Sequence, residues 1–370
     1  MSLRIVFSGM LAGVPGQGGA SWAVLQWVLG LRRLGHDVIL VEPAAPGRAV
    51  DAYFHAVTRR FGLEGSAALL HPATGESRGL ERPALERAVA GADVLLNVSG
   101  MLADEQLTGA ADVRVFLDLD PAFNQLWHTV EHIDMGFDRH DRFVTIGRRV
   151  GRPGCEVPTC GRTWVPTLQP VVLEHWPVAE ALHHDALTTV GHWRAYGSIH
   201  HKGVLYGQKA HALRELIELP SRAPGIRFAP ALGIHPDETS DLEALARHGW
   251  ELLDPALLAS TPDAYADFVR GSWAELGVAK SGYVASGCGW FSDRSAAYLA
   301  SGRPVLAQDT GWTADLPTGD GLLAFSDVEE AAAGVEELRA DYGRHRRSAR
   351  ALAEEHFASD RVLTDLLARL

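Results

Sequence analysis

The sequence predicts an α/β protein made of two doubly wound domains that face each other across a central cleft. Three observations carry that expectation. The chain has 370 residues, enough for two sizeable hydrophobic cores. From Leu3 to Val41 it reads as one β-α-β unit: a strand run Leu3 to Ser8, a glycine-rich loop Gly9 to Ser21, a helical apolar pattern from Trp22 to Leu34, and a second strand run Val38 to Val41. The same rhythm starts afresh at Leu187, after a stretch interrupted by Pro166, Pro170 and Pro177 that prevents a continuous element. The crossover therefore falls near 175–183, and the expected divisions are 1–178, 179–350 and a terminal helical segment 351–370.

Composition narrows the function classes. Hydrophobic residues at 46% and charged residues at 22% describe a globular protein in water. No apolar run approaches the roughly 18 to 20 residues of a membrane span. Met1-Ser-Leu-Arg runs directly into a strand pattern without the basic and apolar regions of a signal peptide. Three cysteines, an odd number, fit a reducing compartment, so a cytoplasmic location is expected. The net charge of −12 opposes nonspecific nucleic-acid binding without barring a local basic site for an anion.

In the first half, Asp51 to Phe61 and Arg82 to Ala90 are amphipathic helices, and Asp93 to Val98, Val113 to Leu119 and Phe143 to Gly147 are strands. Ligands of doubly wound sheets bind at strand ends. Asp118 and Asp120 end one such strand and are candidates for a general base or a sugar-hydroxyl acceptor, against the plainer reading of a turn before Pro121. His128 is a further acceptor-side candidate. On a helix, His128 and His132 would share a face, and their H-x-x-E-H letters match an inverted zinc-protease motif, which makes a zinc hydrolase the rival chemistry. Cys155 and Cys160 are too few for a structural metal site, and no metal ligands are assigned. Gly16 to Gly19 does not reproduce the dinucleotide fingerprint, which disfavours a nicotinamide enzyme despite Glu42 at the second strand's end.

In the second half, Leu187 to Val190 is a strand followed by Arg194, whose guanidinium suits a phosphate. Lys209 opens the helix Ala210 to Glu218, where a cation opposes the helix dipole and so points to an anionic partner. Gly225 to Ala229 reads as a strand, Leu242 to His248 as a helix, Pro262 to Gly271 as a helix capped by Thr261, and Ser272 to Val278 as a strand. From Ser286 to Trp312 the order is loop, helix (Ser292 to Ser301, capped by Ser292 or Asp293), strand (Val305 to Ala307) and loop. That arrangement brings a helix N-terminus beside a strand end, where a phosphate fits. Gly321 to Phe325 is the last strand, and helices follow over Asp327 to Ala340 with Ser326 as N-cap, Tyr342 to His356 and Ser359 to Leu370.

The run Cys288-Gly-Trp-Phe-Ser292, the helix after it, Ser301-Gly-Arg-Pro-Val305 and Gln308-Asp309 together resemble the donor-sugar motif of twin-Rossmann (GT-B) nucleotide-sugar glycosyltransferases. The resemblance implies two Rossmann-like domains, acceptor on the first and donor on the second, with the terminal helices crossing back onto the first. It implies Gly289, Trp290, Ser292, Asp293, Arg294 and Asp309 around the donor, Arg194 and Lys209 on its diphosphate, and the loop at Gly18 and Gly19 approaching donor and acceptor. It implies metal-independent transfer with the nucleotide sugar as substrate, no cofactor, and a small-molecule or glycan acceptor. Gly287 stands where natural-product members often carry a histidine, and Gly289 and Ala297 fall where many retaining members carry glutamates. Those departures keep a noncatalytic sugar-nucleotide-binding protein, and a related-fold epimerase or phosphorylase, as alternatives.

Overall fold

Runs of Ile, Val, Leu and Phe build the first sheet, described from a computed structural model that covers residues 2–370. Its strands are β1 (Arg4–Ser8), β2 (Asp37–Pro43), β3 (Ala67–Leu70), β4 (Ser77–Gly79), β5 (Ala92–Val98), β6 (Ala111–Asp118), β7 (Arg142–Thr145) and β8 (Trp164–Pro166). They lie in the order β4-β3-β2-β1-β5-β6-β7-β8, all parallel except β4. Because β1 is flanked by β2 and β5, the order reverses at its carboxyl end, the usual ligand crevice of such sheets.

The second domain carries β9 (His184–Thr188), β10 (Val190–His192), β11 (Ile199–His201), β12 (Val204–Tyr206), β13 (Ala231–Gly233), β14 (Ser272–Gly277), β15 (Val305–Gln308) and β16 (Leu322–Phe325). Its parallel sheet runs β16-β15-β14-β9, with β10 paired to β13 and β11 to β12 as a hairpin. The α/β class with two principal sheets is as expected.

Several elements differ from the sequence expectation. The first helix spans Gly18–Arg33 and so takes in two glycines assigned to the loop. Gly18 belongs there because its backbone lies against the second domain: its N–H donates to the Ala259 carbonyl at 2.8 Å, and a Cβ would stand 2.1 Å from the Thr261 oxygen. The stretch Gly225 to Ala229 is no strand, being bracketed by Pro224 and Pro230, and keeps one bridge from Phe228 to Leu187. Asp327, not Ser326, caps the helix Val328–Ala340. The helix from Tyr342 ends at Leu352 and continues as a wider π turn, Ala353–Phe357. A short helix, Ser281–Ser286, had no sequence signal.

The terminal helix Ser359–Leu367 lies on Gly18–Arg33, where Arg33 pairs with Asp360 at 2.9 Å. One apolar cluster passes from Phe7 and Trp27 under the first sheet through Trp22, Trp176 and Tyr265 to Phe291 and Trp312 in the second domain. The two domains are thus packed through shared core. Among the described residues no helix is long and apolar enough to cross a membrane.

Candidate functional site

The carboxyl ends of both sheets open into one cleft. The first domain supplies the loop after β1 and the first turn of Gly18–Arg33, with Gln17, Gly19 and Ala20 in the wall. The second supplies Val190, Gly191 and His192, then Gln208 and Lys209, then Lys280 beyond β14, and Asp293 and Arg294 at the start of Asp293–Ala300. The cavity holds about 580 Å³. A chamber of about 230 Å³ shares Ala23, Lys209, Lys280, Asp293 and Arg294 with it and adds Asp120, Gln169, Trp290 and Ser292.

Three cations converge here. Lys209 begins the helix Lys209–Glu215, and its buried ammonium donates to the Val278 carbonyl. Burial, and the positive charges of Arg294 and Lys280 beside it, hold its pKa well below the ordinary 10.5. Arg294 follows the N-cap Ser292, whose Oγ accepts its backbone N–H at 3.2 Å. Its Nε donates to Glu275 Oε1 at 2.5 Å and its Nη1 to the Val190 carbonyl at 3.0 Å, while Nη2 is buried without a partner. Lys280 reaches both oxygens of Asp120 at 3.1 Å. With Glu275 and Asp120 so engaged, Lys209 has no carboxylate partner among the described residues. Three basic side chains and two helix starts thus border one cavity, together with the carboxylates of Asp120 and Asp293 and with Glu275 behind Arg294, an arrangement that can receive an anion.

The first-domain candidates separate by burial. Asp118 is fully buried and accepts from Asn124 Nδ2 at 2.6 Å, Gln125 Nε2 at 2.8 Å and Thr145 Oγ1 at 2.7 Å. Desolvation still raises its carboxyl to about 6. Its Oδ1 also accepts the Asp120 N–H at 3.0 Å, so it shapes the turn that presents Asp120 and does not itself line the cleft. In that turn Ala122 has φ of +74°, a conformation L-residues avoid, held by the packing around it. Asp120 faces the smaller chamber and accepts from Tyr196 at 2.5 Å and from Tyr283. Burial and the charge of Asp120 raise both phenols well above their ordinary range, keeping them protonated donors.

Other anticipated residues stand outside this lining. His128 packs on Phe137 at 4.7 Å between ring centres. Its helix ends at Thr129 and His132 has φ of +55°, so the shared helical face needed for the zinc reading is absent. Among the described residues no three His, Cys, Asp or Glu side chains stand together as metal ligands. Arg194 pairs with Glu238 at 2.5 Å on the surface and does not itself line the cavity, although its neighbours His192 and Ala195 do. Gly18 is covered by the second-domain backbone. Gly289, with φ of +73°, donates its N–H to the Thr310 carbonyl at 2.8 Å and lies against Arg149. The Asp309 carboxylate accepts from Gly311 N–H at 2.8 Å and Thr313 Oγ1 at 2.9 Å, closing its own turn. The structure adds Lys280, Tyr196, Tyr283 and Glu275, which sequence reasoning passed over. Lys280 lies just beyond the end of β14, and the strand-end rule could have found it; the tyrosines carried no local signal.

No protein-family model matches the sequence, and no curated protein matches it. Solved structures do. An α-glucosyltransferase solved with UDP and a 13-mer DNA matches with TM-score 0.64 and 12% identity, covering 100% of this chain and 99% of that one. Anabaena HepE in complex with UDP-glucose matches with TM-score 0.61 and 11% identity over 100% of both chains. A glycosyltransferase from Rickettsia africae matches with TM-score 0.57 and 11% identity, covering 100% of this chain and 98% of that one. With both sheets, the intervening cleft and the returning terminal helix accounted for, the chain has the GT-B glycosyltransferase fold.

Proposed function

We propose that this protein is a metal-independent glycosyltransferase that binds a nucleoside-diphosphate sugar, of the UDP class bound by its structural neighbours, and passes the sugar to a small-molecule or glycan acceptor. The observation that carries this reading is a cavity between two helix starts lined by Lys209, which has no carboxylate partner, and by Arg294, whose Nη2 has no hydrogen-bond partner. A diphosphate supplies the missing counter-charge. As the acceptor oxygen bonds to the sugar C1 and the bond from C1 to the β-phosphate oxygen breaks, the electron pair leaves with the diphosphate, and the acceptor hydroxyl's proton passes to Asp120 or to the departing phosphate. Lys209, Arg294 and the N–H groups at the starts of Gly18–Arg33 and Asp293–Ala300 then stabilise the growing charge. The chamber at Trp290, Ser292 and Asp293 receives the sugar, and Asp120 is the first-domain carboxylate placed to orient the acceptor hydroxyl.

The test is thermal unfolding across a panel of nucleoside diphosphates and their sugars, with and without chelator. A ligand of the folded state at about 100 times its Kd stabilises by about 2.7 kcal/mol. UDP is expected to raise the midpoint equally in both conditions. Lys209→Met is expected to weaken UDP binding by roughly tenfold or more while leaving the unliganded midpoint unchanged or higher, since it removes a buried charge. A midpoint indifferent to every nucleotide overturns the reading, and transfer or slow hydrolysis of the UDP-sugar separates an enzyme from a binding protein.

A further inference from the structure

Asp120 ends a first-domain strand, yet every partner of its carboxylate belongs to the second domain. Lys280 Nζ contacts both oxygens, Tyr196 donates to Oδ2 and Tyr283 to Oδ1. A carboxylate offers about four lone-pair positions, and these four contacts occupy them. In this arrangement Asp120 has no position left for an acceptor hydroxyl. Lys280 also lines both chambers of the cleft beside Lys209 and Arg294, and its ammonium lies 4.3 Å from the centre of the Tyr196 ring. It is therefore shared between the carboxylate and the place where the polyanion binds.

We infer that Lys280 is a positioning residue that exchanges partners: the donor diphosphate draws it from Asp120, which frees the carboxylate for the acceptor, so that the acceptor site is completed only after the donor has bound. The inference rests on the donor reading above. Its physical basis is charge. Lys280 also donates to the Tyr196 hydroxyl and, at 3.1 Å, to the Tyr283 hydroxyl. A diphosphate carries more than one negative charge against the single charge of Asp120, and in a partly desolvated cleft that difference outweighs the ion pair and these two hydrogen bonds. Once the diphosphate is in place, Lys209, Arg294 and Lys280 all face a common anion. Asp120 then keeps the two phenol donors, which hold its orientation, and regains the two positions that Lys280 had filled.

The test is calorimetric UDP binding to the wild type, Asp120→Asn, Lys280→Met and the double variant. Removing the competing carboxylate charge is expected to tighten UDP binding by roughly five- to tenfold, as befits a partly buried pair. Lys280→Met weakens binding, and in that background Asp120→Asn gives no gain. Two results overturn the exchange: UDP affinity unchanged or weakened by Asp120→Asn, or the same gain with and without Lys280, which would be a long-range charge effect. If the wild type binds no nucleoside diphosphate, the donor reading itself fails and the exchange with it. If it binds while the cycle shows no coupling, only the exchange fails. Should Asp120→Asn lose its cooperative unfolding transition, Asp120→Ser takes its place in the cycle.

Discussion

Asp118 and Asp120 are separated by one residue, and burial gives them different chemistry. Asp118 is enclosed by three side-chain donors and supports the turn, whereas Asp120 emerges from that turn into the cleft. Glu42 resembles the former. It is fully buried at the end of β2, where it accepts the Ala12 N–H at 2.9 Å and the Gly13 N–H at 2.6 Å, and so fixes the loop leading to the cleft wall. Desolvation raises its carboxyl to about 7 from 4.5, and that of Asp118 to about 6 from 3.8. Raised carboxyls contribute stability that is complete below their ordinary values and is lost as pH rises through the folded ones. Urea unfolding of the wild type is therefore expected to show stability falling between about pH 4 and pH 7. Glu42→Gln keeps an oxygen for both N–H groups and removes the ionisation, so it should recover up to about 3 kcal/mol at the upper end. An unchanged slope would remove Glu42 from the account. Asp118→Asn turns an amide N–H₂ toward groups that are already donors and should destabilise by about 2–4 kcal/mol.

The helix Gly18–Arg33 is the element on which the two domains meet. Its first residue contacts the backbone at Ala259 and Thr261, Trp22 Nε1 donates to the Pro262 carbonyl at 2.8 Å, and Gly30 lies under the terminal helix. The two glycines are needed for different reasons. A Cβ at Gly30 would stand 2.6 Å from Leu363 Cδ1, a side-chain end that can shift, and 2.9 Å from Ser359 Cβ, which the terminal helix must carry aside by a few tenths of an ångström. At Gly18 it would stand 2.1 Å from a carbonyl oxygen that cannot move without its chain. Gly30→Ala should therefore cost about 1–2 kcal/mol, and Gly18→Ala about 3 kcal/mol or a measurable opening of the domains. Unfolding together with small-angle scattering reads both effects. Gly65→Ala, where a Cβ meets nothing within 4 Å, serves as the control and should change neither.

At the scale of the whole molecule, the net charge of −12 surrounds a cleft in which three cations stand with the carboxylates of Asp120 and Asp293. The local site suits a compact anion, while the global field repels an extended one. Duplex DNA at about 0.15 M salt is expected to show no binding in an electrophoretic or anisotropy assay, although a structural neighbour was solved with DNA. Tight, salt-sensitive binding would redirect the acceptor proposal toward nucleic acid. The α/β class, most strands and helices, and the Ser292 cap were legible in the sequence because they depend on side-chain period and on capping within a few residues. Lys209 was legible as an anomaly, a cation placed against a helix dipole. The partners of the cleft residues were not. Lys280 meets Asp120 across 160 residues, and Arg294 meets Glu275 from a neighbouring element, while Arg194 is turned outward to Glu238. Local pattern specifies the two-domain α/β rhythm and which residues stand at strand and helix ends. Which of them meet depends on how one domain is set against the other through Gly18, Trp22 and the returning terminal helix, and no local spacing encodes such a placement.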